Sequence, residues 1–232
     1  MAAAPVPPVC VLDFDGDLTD WLVETGAAQP CAEWACFHTA MFALKVDGVR
    51  CGLIARTIGG PFAVLVAEQL AVSGAKAVIG LTSAGRVAPE LPVPALVVAT
   101  SAVRDEGTSY HYLPPAATVE APAGLARRLA EEIEDAGPPV FSGTVWTTDA
   151  PYRETRSQFE RHAAAGVLAV EMQAASLFAF SAARGLACGV VAHVTNATDL
   201  ADEGFDNSAQ ADGPRLLRSI CRAGLRFLAE SP

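Results

Sequence analysis

The sequence predicts a single α/β domain with a central mixed, largely parallel sheet in a three-layer α/β/α arrangement. Three observations carry this. First, the chain has 232 residues, 51% apolar and 18% charged, which suits one globular unit with a sizeable core. Second, the stretch from Gly166 to Asp199 reads as strand, acidic turn, helix, strand, polar tip. Val167, Leu168 and Val170 run apolar to Glu171, Met172 to Arg184 suits a buried helix closed by Gly185, and Gly189 to Val194 is a second apolar run. Third, other apolar runs of strand length are joined by helices punctuated by Gly and Pro. No repeat or linker divides residues 1–232, and Pro5, Pro7 and Pro8 predict that residues 1–8 form a loose N-terminal arm.

Composition excludes several classes. The net charge of −10 argues against a nucleic-acid or anionic-membrane surface. Much of the apolar content is Ala, and no apolar run reaches the roughly 18 residues of a spanning helix. The start, MAAAPVPPV, lacks a basic region followed by a long apolar one, so no signal peptide is expected. Cys10, Cys31, Cys36, Cys51, Cys188 and Cys221 make no C-x-x-C pair, and read as reduced thiols of a cytoplasmic protein. His38, His111, His162 and His193 are scattered. Neither a metal nor a cofactor is expected.

In chain order, Val9 to Phe14 is the first strand. Asp15-Gly16-Asp17 turns it into a short helix from Leu18 to Gly26, which carries Asp20 and Glu24. Residues 27–40 read as loop leading to strand. Residues 42–46 and 49–54 form a hairpin about Asp47-Gly48. Gly59-Gly60-Pro61 opens a helix with Pro at its first position, and Gly74 closes it. Residues 77–81 are a strand leading into a Thr82-Ser83-Ala84-Gly85 turn, and residues 95–101 a strand leading into a mixed-charge loop over 102–115. Residues 122–135 are an amphipathic surface helix, 140–146 a strand, and Asp212 to Glu230 a final helix with Arg215, Arg218, Arg222 and Arg226 on its wet side. Polar clusters at the carboxyl ends of strands mark the edge where α/β sheets bind ligands. The alternative is a core βαβ unit with solvated ends.

The segment VEMQAASLFAFSAARG resembles the Val-Glu-Met-Glu-(small)-(small) segment of the nucleoside phosphorylase and nucleosidase superfamily. The Gly16-Asp17 turn, the Gly-Gly-Pro helix, the Thr82–Gly85 segment, TTDAPYRET and the Asn196–Asp199 tip follow in that family's order, from about Val9 to Asp199. The resemblance implies that the protein cleaves an N-glycosidic bond through an oxocarbenium-like transition state, with a nucleoside or modified nucleoside, and phosphate in phosphorolytic members, as substrates. It implies sugar contacts from Glu171, Met172 and Gln173, and phosphate or water contacts from Gly60, Thr82 and Ser83. It also implies base contacts from Thr148, Asp149, Tyr152 and Arg156, with Arg153 a further candidate. Family members assemble as dimers, trimers or hexamers, and His38 and His111 are the candidates for reaching a neighbouring subunit. For His38 a structural role is the alternative, and for the segment 102–115 a surface loop. For TTDAPYRET the alternative is a Thr or Asp capping a helix.

The departures set the mechanism expected. The turn arginine of phosphorolytic members is Asp20, the arginine inside the next strand is Gly80, the second Glu of the sugar clamp is Gln173, and the leaving-group Asp is Asn196, with Asp199 three residues on. Asn cannot act as a general acid, and Gln holds hydroxyls without a charge. Hydrolytic members resembling methylthioadenosine nucleosidase carry a carboxylate near Asp20. Hydrolysis with Asp20 (or Glu24 behind it) activating water near Ser83, and Asn196 and Asp199 serving the leaving base, is therefore the expectation. Phosphorolysis, with phosphate held by Ser83, His38 or Arg104, is the alternative. A non-catalytic nucleoside-binding protein on the same scaffold is another.

Overall fold

The computed structural model describes residues 5–197 and 209–230. Its strands are β1 (Val9–Asp13), β2 (Gln29–Pro30), β3 (Phe42–Val46), β4 (Val49–Ala55), β5 (Ala77–Arg86), β6 (Ala95–Asp105), β7 (Thr118–Glu120), β8 (Val140–Thr148), β9 (Ala169–Glu171) and β10 (Ala187–Ala197). Its α-helices are α1 (Asp17–Glu24), α2 (Gly60–Val72), α3 (Ala123–Ile133), α4 (Arg156–Ala164), α5 (Ala174–Arg184) and α6 (Ala209–Glu230). The sheet order is β10-β6-β8-β9-β5-β1-β4-β3-β2, with β7 on β6. Helices α3 and α6 pack on each other and on β10, β6, β1 and β5, while α2 and α5 form a second pair, with α5 against β6, β8 and β10. The sheet is mixed, with helices on both sides, as the sequence predicts.

The local elements follow from their residues. Every residue of β1 is buried, as a strand between parallel neighbours β4 and β5 requires. The predicted hairpin is β3–β4. Asp47 and Gly48 both have positive φ, 48° and 83°, the conformation of a tight two-residue turn whose twist matches its strands. Helix α2 has Pro near its start, and α5 ends on Gly185 in the left-handed region. Thr155 caps α4 through a reciprocal box with Gln158, so TTDAPYRET does lead into a capped helix. Trp146 stacks on His162 of α4 with ring centroids 4.5 Å apart, anchoring that helix to β8.

Three sequence expectations change. Thr82–Gly85 is not a turn: β5 runs on to Arg86 because its second half pairs with β10 on one edge and, at Gly85 and Arg86, with β9 on the other. That second pairing closes β5, β10, β6, β8 and β9 into a ring, with β1–β4 extending from β5. Next, β6 continues to Asp105, held by β7 and β8, so only the rest of 102–115 is a connection. Finally, the arm is not loose from Val6 onward. Val6 is buried and its N–H donates to the Ser73 carbonyl, while Lys76 and Ala77 donate to the Pro8 carbonyl.

Gly80 marks a tight point of this packing. A Cβ there would lie 2.6 Å from Cε2 of the buried Phe14 ring. Replacing Gly80 by Ala is expected to lower stability by about 1–3 kcal/mol, the usual cost of overpacking. Denaturant unfolding of Gly80→Ala beside the parent measures it, and equal midpoints would refute the contact.

Candidate active site

The carboxyl ends of β1, β4, β5, β8, β9 and β10 carry the polar residues of interest. Strand β1 stops at Asp13, opposite Leu81, while β5 continues. The Phe14 N–H still donates to the Leu81 carbonyl. Beyond it, among the described residues, no strand pairs with β5 on that edge until β9 pairs with it at Gly85. The Ser83 N–H, which the next rung of β1 would have taken, donates instead to Oδ2 of Asp15 at 2.9 Å, and the Ser83 hydroxyl donates to Oδ1 at 3.0 Å. Ser83 thus presents two donors to one bidentate oxyanion. Asp15 itself is exposed.

The turn that carries Asp15 is fixed from beneath. The buried Asp13 carboxylate accepts from the N–H groups of Gly16 and Thr19 and from the Thr19 hydroxyl, at 3.3, 2.8 and 2.6 Å. Burial raises its pKa, and the hydrogen bonds from Thr19 oppose that rise. Arg56, just past β4, crosses this turn. Its backbone is left-handed (φ 60°), a costly conformation for a long side chain, and its N–H donates to the Asp13 carbonyl. Its guanidinium lies against Gly16 and grips the Asp20 carboxylate through both terminal nitrogens. The guanidinium holds Asp20 below the usual carboxylate range. Asp20 is therefore a poorer proton acceptor than a free carboxylate while this pair is made. Both side chains are about half exposed, so the pair is worth no more than about 1 kcal/mol.

The predicted sugar segment is well ordered. Glu171 is buried and accepts from the Thr147 hydroxyl at 2.5 Å and from the N–H groups of Gln173 and Ala174 at 2.6 and 2.9 Å. Thr147 in turn accepts from the Ala175 N–H. Burial pushes Glu171 up to about 7, against these hydrogen bonds. Gln173 is buried at the head of α5, where its Oε1 takes the Met172 N–H and lies 3.3 Å from the Thr82 hydroxyl. The structure thus joins Glu171, Met172, Gln173 and Thr82, with Ser83 adjacent. Gly60 sits behind them: a Cβ there would meet the Ser176 Oγ, which donates to the buried Glu106.

Other predicted residues lie elsewhere. Thr148 is buried and its hydroxyl accepts from the Ala150 N–H, while Asp149 accepts from the Gly107 N–H, tying the end of β8 to the loop after β6. Tyr152 is 99% exposed, and Arg156 projects from the first turn of α4 to pair with Glu160, so neither joins the Glu171–Gln173 group. Arg153 is also exposed. His38 is exposed and packs on Phe37, and His111 is exposed at the end of a 3-10 turn. Arg104 is no phosphate ligand. It is buried and spends its guanidinium on the Ser109 hydroxyl and the Leu113 and Pro114 carbonyls, with its face over Tyr110. Gly80 cannot be replaced by an arginine, because Phe14 fills that space. Asn196 lies in β10, just past a bulge in the pairing with β5; Asp199 lies outside the described residues.

Further residues lie at these strand ends. Asp15 and Arg56 are the charged ones. The buried hydroxyls of Thr57 and Thr195, at the carboxyl ends of β4 and β10, have no hydrogen-bond partner among the described residues. The available signal was position: each follows or closes an apolar strand at the ligand edge.

A family model described as the phosphorylase superfamily matches residues 8–229. The chain belongs to this superfamily. Among its relatives, the guanosine phosphorylase of Halorubrum lacusprofundi is 30% identical over 152 residues, covering 64% of this chain and 61% of that protein. The uridine phosphorylase of Salmonella typhimurium is 27% identical over 164 residues, 65% of each chain. A DeoD-type purine nucleoside phosphorylase of Exiguobacterium is 32% identical over 144 residues, 58% of each. The matched stretches span less than two thirds of these phosphorylases' own lengths. No helix among the described residues is long and apolar enough to cross a membrane.

Glu171 generates a pH prediction. Its folded pKa, about 7, lies above the ordinary 4.5, so the folded state binds the extra proton between these values. The stability that Glu171 contributes is full below about pH 4.5 and is lost as pH rises through about 7. Glu171→Gln is expected to flatten that part of the melting-temperature profile, and profiles that stay parallel would contradict the assignment.

Proposed function

We propose that the protein cleaves the N-glycosidic bond of a nucleoside and transfers the sugar to inorganic phosphate. The observation that carries this is the pair of Ser83 donors, which hold a bidentate oxyanion at the open edge of β5, on a turn that the Arg56 side chain crosses at Gly16. Membership of the phosphorylase superfamily and the names of its relatives support the same acceptor. Water as acceptor was the expectation from the missing arginines. Arg56 weakens it, since a cation enters from the end of β4 where the family places one at the start of α1.

In this reading Ser83 and Arg56 hold phosphate, with Arg56 exchanging a weak exposed ion pair for a dianion at little cost. Gln173 and Met172 frame the sugar. Glu171 acts as a positioning residue, holding the head of α5 and so the Gln173 amide. Thr148 and Asp149 are the remaining base-contact candidates, and Asn196 and Asp199 remain the leaving-group candidates of the sequence. His38 and His111, being exposed, remain available to a second subunit of a homo-oligomer. A second reading, hydrolysis, is favoured by one observation: Asp15 already fills the oxyanion seat.

The deciding experiment is chromatographic detection of free base from a nucleoside panel, with and without phosphate. Release that requires phosphate is expected; equal release without it would replace this reading by hydrolysis. Two variants follow. Arg56→Ala is expected to raise the KM for phosphate by about tenfold or more, as loss of a charge-assisted contact does. Asp20→Asn is expected to change kcat by less than the roughly 10²-fold or more that loss of a general base costs, and a larger fall would restore Asp20 as the base.

A further inference from the structure

The seat at Ser83 is held by the protein's own carboxylate, and this has a consequence for acceptor choice. Asp15 offers the Ser83 N–H and hydroxyl two oxygens at 2.9 and 3.0 Å, the same two-oxygen bite that one edge of a phosphate presents. It sits two residues past the end of β1, on a turn anchored by Asp13, Gly16 and Thr19, so it is delivered to Ser83 by the chain itself. A tethered group competes at a high effective concentration, millimolar or above for a short tether. The first turn of α1 adds the carboxylates of Asp17 and Asp20, the latter paired with Arg56. A dianion entering the seat therefore meets an occupied pair of donors and a like charge.

We propose that Asp15 is an acceptor-selecting residue, an intramolecular carboxylate that phosphate must displace from Ser83 before the sugar can be transferred to it. The proposal rests on phosphate being the acceptor, as read above. Asp15 is exposed and its release to water strands no buried charge, so displacement needs only a side-chain rotation. The exchange is charge-assisted on both sides: the donors of Ser83 pass from one oxyanion to another, and the freed carboxylate is hydrated. The protein then works with weak phosphate affinity, set by this competition and not by a shortage of donors.

The test measures phosphate binding directly, by calorimetry with inorganic phosphate and the full chain, on the parent, Asp15→Ala, Asp15→Asn and the Asp15→Ala/Ser83→Ala double variant. Melting curves establish that each is folded, and the near-isosteric Asp15→Asn stands in if the Ala variant is not. Removing the carboxylate is expected to tighten phosphate binding by about tenfold or more, and to lower the KM for phosphate alongside. Measured from Ser83→Ala to the double variant, the gain is expected to be smaller than in the parent, because Ser83→Ala removes the hydroxyl of the seat and keeps its backbone N–H. Unchanged or weaker binding in both Asp15 variants, or a gain undiminished in the Ser83→Ala background, would overturn the proposal. The two readings fail separately. Tighter phosphate binding without phosphate-dependent base release would sink the acceptor and leave Asp15 as the seat's occupant. Phosphate-dependent release with unaltered binding would do the reverse.

Discussion

The site depends on a mismatch between two parallel strands. Strand β1 ends at Asp13 and β5 does not end until Arg86, so one edge of β5 loses its partner before β9 arrives at Gly85. A backbone donor left open in a sheet must find an acceptor, since an unpaired N–H costs about as much as a lost hydrogen bond. At Ser83 that acceptor is a side-chain carboxylate. The arrangement is a topological crevice of the kind in which α/β sheets bind ligands, and its chemistry is that of an anion seat.

A second constraint is the placing of the sugar segment. Glu171 ends β9 and begins the approach to α5, and its two oxygens are shared among a hydroxyl from β8 and the first N–H groups of the helix. Those N–H groups have no intrahelical partner, and the carboxylate satisfies them. Burial is why its pKa rises toward neutrality, with the charge of Glu106 adding to the rise, while hydrogen bonds pull the other way. The result is a rigid base under Gln173, whose Oε1 reaches Thr82 on β5. The strand that holds the anion and the helix that would hold the sugar are thereby locked in one hydrogen-bonded run.

Much of this was legible beforehand where local chemistry dictates it. The Asp47-Gly48 hairpin, the Pro-headed α2, the stop at Gly185 and the buried run into Glu171 all appear in the sequence as turn residues, caps and periodicity. Roles that depend on a distant partner were not. Arg104 lies beside a loop and reads as an available cation, yet it is buried and saturated by Ser109, Leu113 and Pro114. Asp20 reads as a free base, yet a residue 36 positions on neutralises it. Tyr152 and Arg156 share a segment with Thr148 and Asp149, but the capped start of α4 carries them away into solvent.

The sequence by itself determined the family, the alternation of strands and helices, and the set of polar residues at strand ends, because these rest on local propensity and on motifs read in order. Only the tertiary structure decided which polar groups meet. That Thr82–Gly85 is strand and not turn follows from a ring closed by β9 and β10, a pairing across more than eighty residues that no local pattern encodes. That Arg56 and Asp15 are the charges beyond the end of β1 follows from β1 ending short beside β5, and from a left-handed residue turning its side chain across the neighbouring loop. Charge pairing is set by distances in space, and these exist only once the sheet has formed.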